Sequence, residues 1–248
     1  MPSVLPTLPT LPTPRPKISA ADIRKRRYEL NEINQEFYEC IKDIVTHPAV
    51  LQMKNFYQHC DTDCYEHCLN VAYNNFRICR YLGLDARSAA RGGMLHDLFL
   101  YDWRQHRRKT GDRLHAITHP VTAYRNARKY FKLNKVEKEV ITKHMWPVSL
   151  IPPRYPETYI ICLTDKYCGS REIADHYSRI WKKKVWGRPA AWLMKRAFAG
   201  IPRADRIQEM IPELDSMESA AKPVSFAQQR RRSSSGWSHV SGKRRRFS

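Results

Sequence analysis

The chain has 248 residues, 44 Lys and Arg against 24 Asp and Glu, and a formal charge of +20. That length suffices for one sizeable core with an appendage, and 42% hydrophobic residues with only nine glycines suit a folded, helix-leaning chain. No apolar run approaches the roughly 20 residues that span a bilayer, which argues against a membrane protein. The amino-terminal "MPSVLPTLPTLPTPRPK" lacks the apolar core of a signal peptide. The expected compartment is therefore the cytoplasm. Seven cysteines, an odd number, then read as reduced thiols rather than a disulfide framework.

In chain order, residues 1–18 form a stiff Leu-Pro-Thr leader, expected to be disordered. From Ser19, Ile23, Leu30, Ile33, Phe37, Ile41 and Ile44 recur at helical spacing, and "THPAV" ends that helix. "DCYEHCLNVAYNNFRICRYLGL" reads as a second helix capped by Gly83. A third runs through "DARSAARGGMLHDLFLYDW" behind an Asp85 N-cap, and a polar loop follows. Further helices are expected from about Pro120 to Phe131, from Asn134 to His144, and from near Glu157 through "ETYIICLTDKYCGSREIADHYSRIW". Nothing alternates with period two, so the fold class is all-α. The folded domain is drawn at 19–180, a basic helical extension at 181–217, and a disordered basic tail at 218–248.

"RGGMLHDLFLYDW" poses a physical problem. His96 and Asp97 stand in an apolar run, and burying an unpartnered polar group costs roughly 2–7 kcal/mol. Four more titratable residues stand in or bound apolar helical segments: His67, His119, His144 and Asp165. Most come from separate helices, and a bundle can turn such side chains toward one centre. Imidazole and carboxylate donors suit Mn, Fe, Co, Ni, Zn or Mg, and the lack of thiolate among them argues against a purely structural zinc. Cys60, Cys64 and Cys68 stand four apart, a helical stripe if the helix starts early enough. Packing of small apolar side chains explains them better than a metal or redox site.

The ordered set His67, His96-Asp97 and Asp165, with "CYEHCL", "MLHDLFLYDW" and "KHMWP", resembles the HD-domain superfamily of metal-dependent phosphohydrolases. The likeness extends over roughly residues 36–172 and looks closest to short bacterial stand-alone HD-domain proteins. It implies a helical bundle with a metal site between helices. His67, His96, Asp97 and Asp165 would bind one ion, with His119 and His144 as the extra ligands of two-ion members. It also implies a hydrolase that cleaves a phosphate monoester or diester, a nucleotide above all, by metal-activated water. Asp97 would bridge the ions as a catalytic residue. Lys166, Arg91 or His115 would neutralise the substrate, Lys166 also counting as catalytic, although an ion pair explains Lys166 equally well. His115 is preferred over His106, which lies in the charged loop. Asp102 is either a hydrogen-bond support for a ligand histidine, or an N-cap or ion-pair partner of the Arg-rich loop.

The competing function is a non-catalytic regulatory protein that holds a nucleotide, or binds nucleic acid through its basic tail. Trp181, Trp186 and Trp192 interleave with that charge and could stack bases, or more simply anchor the last helices to the core. No Gly-rich phosphate loop is present, so ATP-driven chemistry is not indicated.

Overall fold

A computed structural model describes residues 19–103, 105, 114–183, 207, 209, 211, 212 and 214. The leader, the tail, His106, Trp186 and Trp192 lie outside these residues. The fold is all-α as expected. Among the described residues it comprises α1 (Ala20–Val45), α2 (Pro48–Leu51), a 3-10 turn (Gln52–Asn55), α3 (Cys64–Tyr81), α4 (Ala86–Leu95), α5 (His115–Tyr130), α6 (Lys135–Lys143) and α7 (Pro156–Lys183). None of these helices is long and apolar enough to cross a membrane.

The sequence reading missed one element. Tyr57–His59 (β1) and Thr62–Asp63 (β2) pair as a small antiparallel hairpin, too short to leave a period-two signal. Cys60 sits at its turn with φ +50°, so the cysteine stripe is not continuous on a helix: α3 begins only at Cys64, capped by Asp63, whose carboxylate accepts from Glu66 N.

α3 is the central element, buried on nearly every side from Cys64 to Cys79. Phe37 and Ile41 of α1 pack onto Tyr73 and Phe76 of α3, and Tyr73 keeps its hydroxyl paired by donating to Asn34 Oδ1 at 2.6 Å. α4 lies between α3 and α6, and two adjacent glycines set its distance from both. A Cβ on Gly93 would stand 2.8 Å from Ala72 Cα, and one on Gly92 2.6 Å from Val140 Cγ1. Side chain to backbone bonds lock the helix starts. Asp85 caps α4 at Ser88 N, and Asn134 with Glu137 forms a reciprocal capping box on α6. From the expected extension, Ile207, Ile211 and Leu214 are buried in this same core.

Two expected boundaries shift. α4 stops at Leu95 rather than running to Trp103. His96 is its C-cap, and a tight turn carries Asp97 to Leu100, the last at φ +59°. α5 begins at His115, with Pro120 inside it.

The Gly93 contact yields a direct test. Gly93→Ala gains at most about 1 kcal/mol in helix propensity, but its methyl meets backbone that cannot swing aside. The net outcome is a loss of about 1–3 kcal/mol, read as a lower urea midpoint at unchanged m-value.

Candidate metal centre

Helix ends do most of the positioning. His96 and His144 cap the C-termini of α4 and α6, where the last carbonyls of a helix have no partner within it. Each ring turns back to serve one of these: His96 Nδ1 lies 2.8 Å from Gly93 O and His144 Nδ1 2.9 Å from Ile141 O. In α5, His119 Nδ1 lies 2.7 Å from His115 O. A carbonyl only accepts, so all three Nδ1 atoms carry the proton and each Nε2 is turned the other way.

Those Nε2 atoms converge on two carboxylates. His119 Nε2 lies 3.2 Å and His144 Nε2 3.7 Å from Asp97 Oδ1, while the two Nε2 atoms are 2.9 Å apart. His96 Nε2 stands 3.5 Å from Asp97 Oδ2 and 3.7 Å from Asp165 Oδ1. His67, fully buried on α3, completes the group with Nε2 at 3.1 Å from Asp165 Oδ1. The structure thus brings together all six expected ligands. Their roles as ligands belong to the proposal below.

Burial opposes charge throughout this centre, and neighbours override it. Burial disfavours an ionised Asp97, but His96, His119 and His144 hold its carboxyl well below the usual range. Asp165 is held low in the same way, by His67 and His96 against burial. Burial works against protonated His67 and His96 too, yet Glu172 with Asp165 raises the first and Asp97 raises the second. His144 goes the other way: burial, then the charges of His96 and His119, push it down to about 3.

The fit to a metal rests on what this donor set leaves open. Two Nε2 atoms facing each other at 2.9 Å, each on a ring whose other nitrogen already holds a proton, require a proton or cation between them. Among the described residues, His96 Nε2 and Asp97 Oδ1 are buried without a hydrogen-bond partner. An all-nitrogen and oxygen set of this kind suits a divalent ion, and His67, His96 and Asp165, like His96, Asp97 and His144, lie close enough to share one.

Other expected residues are placed differently. Arg91 is corrected: its guanidinium is buried and bonded to both Asp43 oxygens, Glu137 Oε1 and the Cys40 carbonyl, so it ties α1 to α4 and α6. Lys166 donates to the carbonyls of Cys162 and Trp146 at 3.0 and 3.3 Å while its residue stays exposed. His115 stacks on His119, with ring centroids 4.8 Å apart, and on Trp103, and its Nδ1 lies 3.2 Å from Tyr101 Oη. Asp102 lies beyond the end of α4. Cys64 and Cys68 sit beneath the dipeptide, Cys64 Sγ donating to Asp97 O and Cys68 Sγ 3.6 Å from His96 Nδ1. Burial pushes both thiols up, which suits packing better than redox chemistry.

Sequence reasoning missed three neighbours. Gln58 Nε2 donates to Asp97 Oδ2, the His59 ring packs edge-on against His67, and Glu172 accepts from His67 Nδ1 at 3.0 Å. The hairpin delivers the first two, and Gly169 makes the room, since a Cβ there would lie 2.9 Å from His59 Nε2. Glu172 is seven residues after Asp165, two turns along the same face of α7. That spacing was the available signal.

The shifts predict the stability of protein stripped of metal. The depressed groups, Asp97, Asp165 and His144, contribute stability that is complete above unfolded values of about 3.9 and 6.5 and is lost as pH falls through the folded ones. The raised groups, His67 and His96, contribute stability complete below about 6.5 and lost as pH climbs through their folded values. The thermal midpoint in chelator should therefore peak near about pH 6.5 and fall on both sides. A monotonic rise from acid to alkali would contradict these assignments.

No curated protein and no solved structure matches the chain. Residues 64–169 match the family model of the HD domain, a segment that starts with α3, ends within α7 and carries all six converging residues. HD domains bind divalent metals and are generally metal-dependent hydrolases. That segment of the chain is similar to the HD domain, and its helical fold agrees with the likeness.

Proposed function

We propose that the protein is a metal-dependent phosphohydrolase that cleaves a phosphate monoester or diester, with nucleotides as the substrate class. The observation that carries this reading is the convergence of four imidazole Nε2 atoms on Asp97 and Asp165, with His96 Nε2 and Asp97 Oδ1 left unpartnered. His67, His96, Asp97 and Asp165 would hold one ion; His119 and His144, sharing Asp97, would hold a second. Bound divalent ions of this class supply Lewis-acid polarisation of a phosphoryl oxygen and lower the pKa of water.

The chain's own residues supply orientation. Backbone carbonyls behind His96, His119 and His144 fix the tautomer and aim each lone pair, so no reorganisation is needed as ligands bind. Gln58 steadies Asp97 from the hairpin side. His115, stacked on His119, and the exposed Lys166, one residue past Asp165, are the candidates to meet substrate phosphate. Arg91 is withdrawn from that role by its buried ion pairs. The resemblance to short bacterial stand-alone proteins and a cytoplasmic location belong to the same reading.

Metal content of protein purified without oxygen, wild type beside Asp97→Ala, is the test. One or two ions per chain should be retained by the wild type and lost in the variant. Hydrolysis of nucleoside phosphates with Mn²⁺ should then fall by at least about 10²–10³, the scale for losing one electrostatic catalytic group. A wild type that takes up metal but hydrolyses none of these esters would favour a regulatory nucleotide-binding protein.

A further inference from the structure

Three of the four converging histidines are held from behind by the main chain, and His67 is the exception. Its Nδ1 faces no carbonyl but the carboxylate of Glu172, Oε2 at 3.0 Å. That carboxylate is itself only 9% exposed, and its second oxygen accepts from Asn70 Nδ2 at 3.3 Å. Asn70 lies one turn along α3 from His67, so both ends of the carboxylate are pinned to the helix that carries the imidazole. Glu172 lies just beyond the segment that matches the HD-domain family model.

We propose that Glu172 is a positioning residue, holding the proton on His67 Nδ1 and aiming Nε2 at Asp165 and the centre. The proposal rests on the metal reading above. A carboxylate behind an imidazole does more than a carbonyl: it fixes the ring and also makes the opposite nitrogen a stronger donor, and loss of such a partner typically weakens metal binding about 10–100-fold. His67 is thus the ligand whose strength a side chain sets. His59, His67 and Glu172 are also close enough to hold an ion among themselves. Ligation there through His67 Nδ1 would exclude the proposed arrangement, because Nδ1 cannot keep its proton and ligate.

Glu172→Gln separates charge from packing. The amide is isosteric and its oxygen still accepts from Nδ1. Its NH₂ would meet the Asn70 NH₂, but Asn70 Oδ1 is buried without a partner, so a flip of the Asn70 amide restores the contact. Glu157→Gln is the control: Glu157 is a buried carboxylate on the same helix that accepts from Asp85 N and serves no imidazole. Mn²⁺ affinity, by chelator competition on the metal-free full chain, should fall about 10–100-fold in Glu172→Gln and stay unchanged in Glu157→Gln. The number of ions at saturation should remain that of the wild type. The visible absorption of Co²⁺-loaded protein should shift in the first variant only.

Wild-type affinity in Glu172→Gln, with binding still lost in Asp97→Ala, would overturn the proposal and leave the metal reading standing. Loss of one ion at saturation in both Glu172→Gln and His59→Ala would overturn it in favour of direct ligation. A wild type that binds no Mn²⁺ would remove the metal reading and the proposal together.

Discussion

The approach of α4 to α3 governs everything at this centre. Gly93 lies where any Cβ would press on the Ala72 backbone, and the Gly93 carbonyl is also the acceptor that holds His96. One glycine therefore sets both how close the two helices come and which way the imidazole of the dipeptide faces. At that spacing His67 and Cys68 of α3 reach the residues that end α4, with the His67 and His96 rings 5.5 Å apart. A wider spacing would remove His67 from His96 and leave two buried polar residues without neighbours to offset their desolvation.

The centre is also a solution to a problem of helix termini. α4 ends in the hydrophobic interior and α6 ends at its edge with His144 buried, and unpaired carbonyls there are costly. Histidine at each C-cap satisfies one of them and still presents a second nitrogen forward. The same residue that stops the helix thus equips the site. Asp97, one step past the α4 cap, accepts the resulting field of three imidazoles, which is why a fully buried carboxylate stays ionised there.

Much of this was legible in the sequence because the six residues stand out chemically from apolar helical surroundings. Helix identity followed from periodicity and caps, such as Asp85 and Gly83. The errors have physical causes. Arg91 sits five residues before His96 on α4 and so points to another face, where Asp43 and Glu137 claim it. Gln58 and His59 come from a hairpin of a few residues, and nothing in such a short stretch announces that its side chains reach a distant helix. Glu172 was readable by helical arithmetic from Asp165, but a glutamate in the polar second half of a long helix looks like any solvated charge.

The hairpin is held to the bundle by its side chains more than by its two short strands. Gln58 grips Asp97, His59 fills the notch at Gly169, and Asp61 pairs with His176 and Arg179 of α7. Cys60 stands at its turn, and it is the single cysteine of the seven that is not buried. Nature has therefore left a chemically addressable handle on the segment that touches the centre. A thiol-reactive fluorophore would attach there selectively, and its emission would report the behaviour of the hairpin as ligands fill the site beneath it.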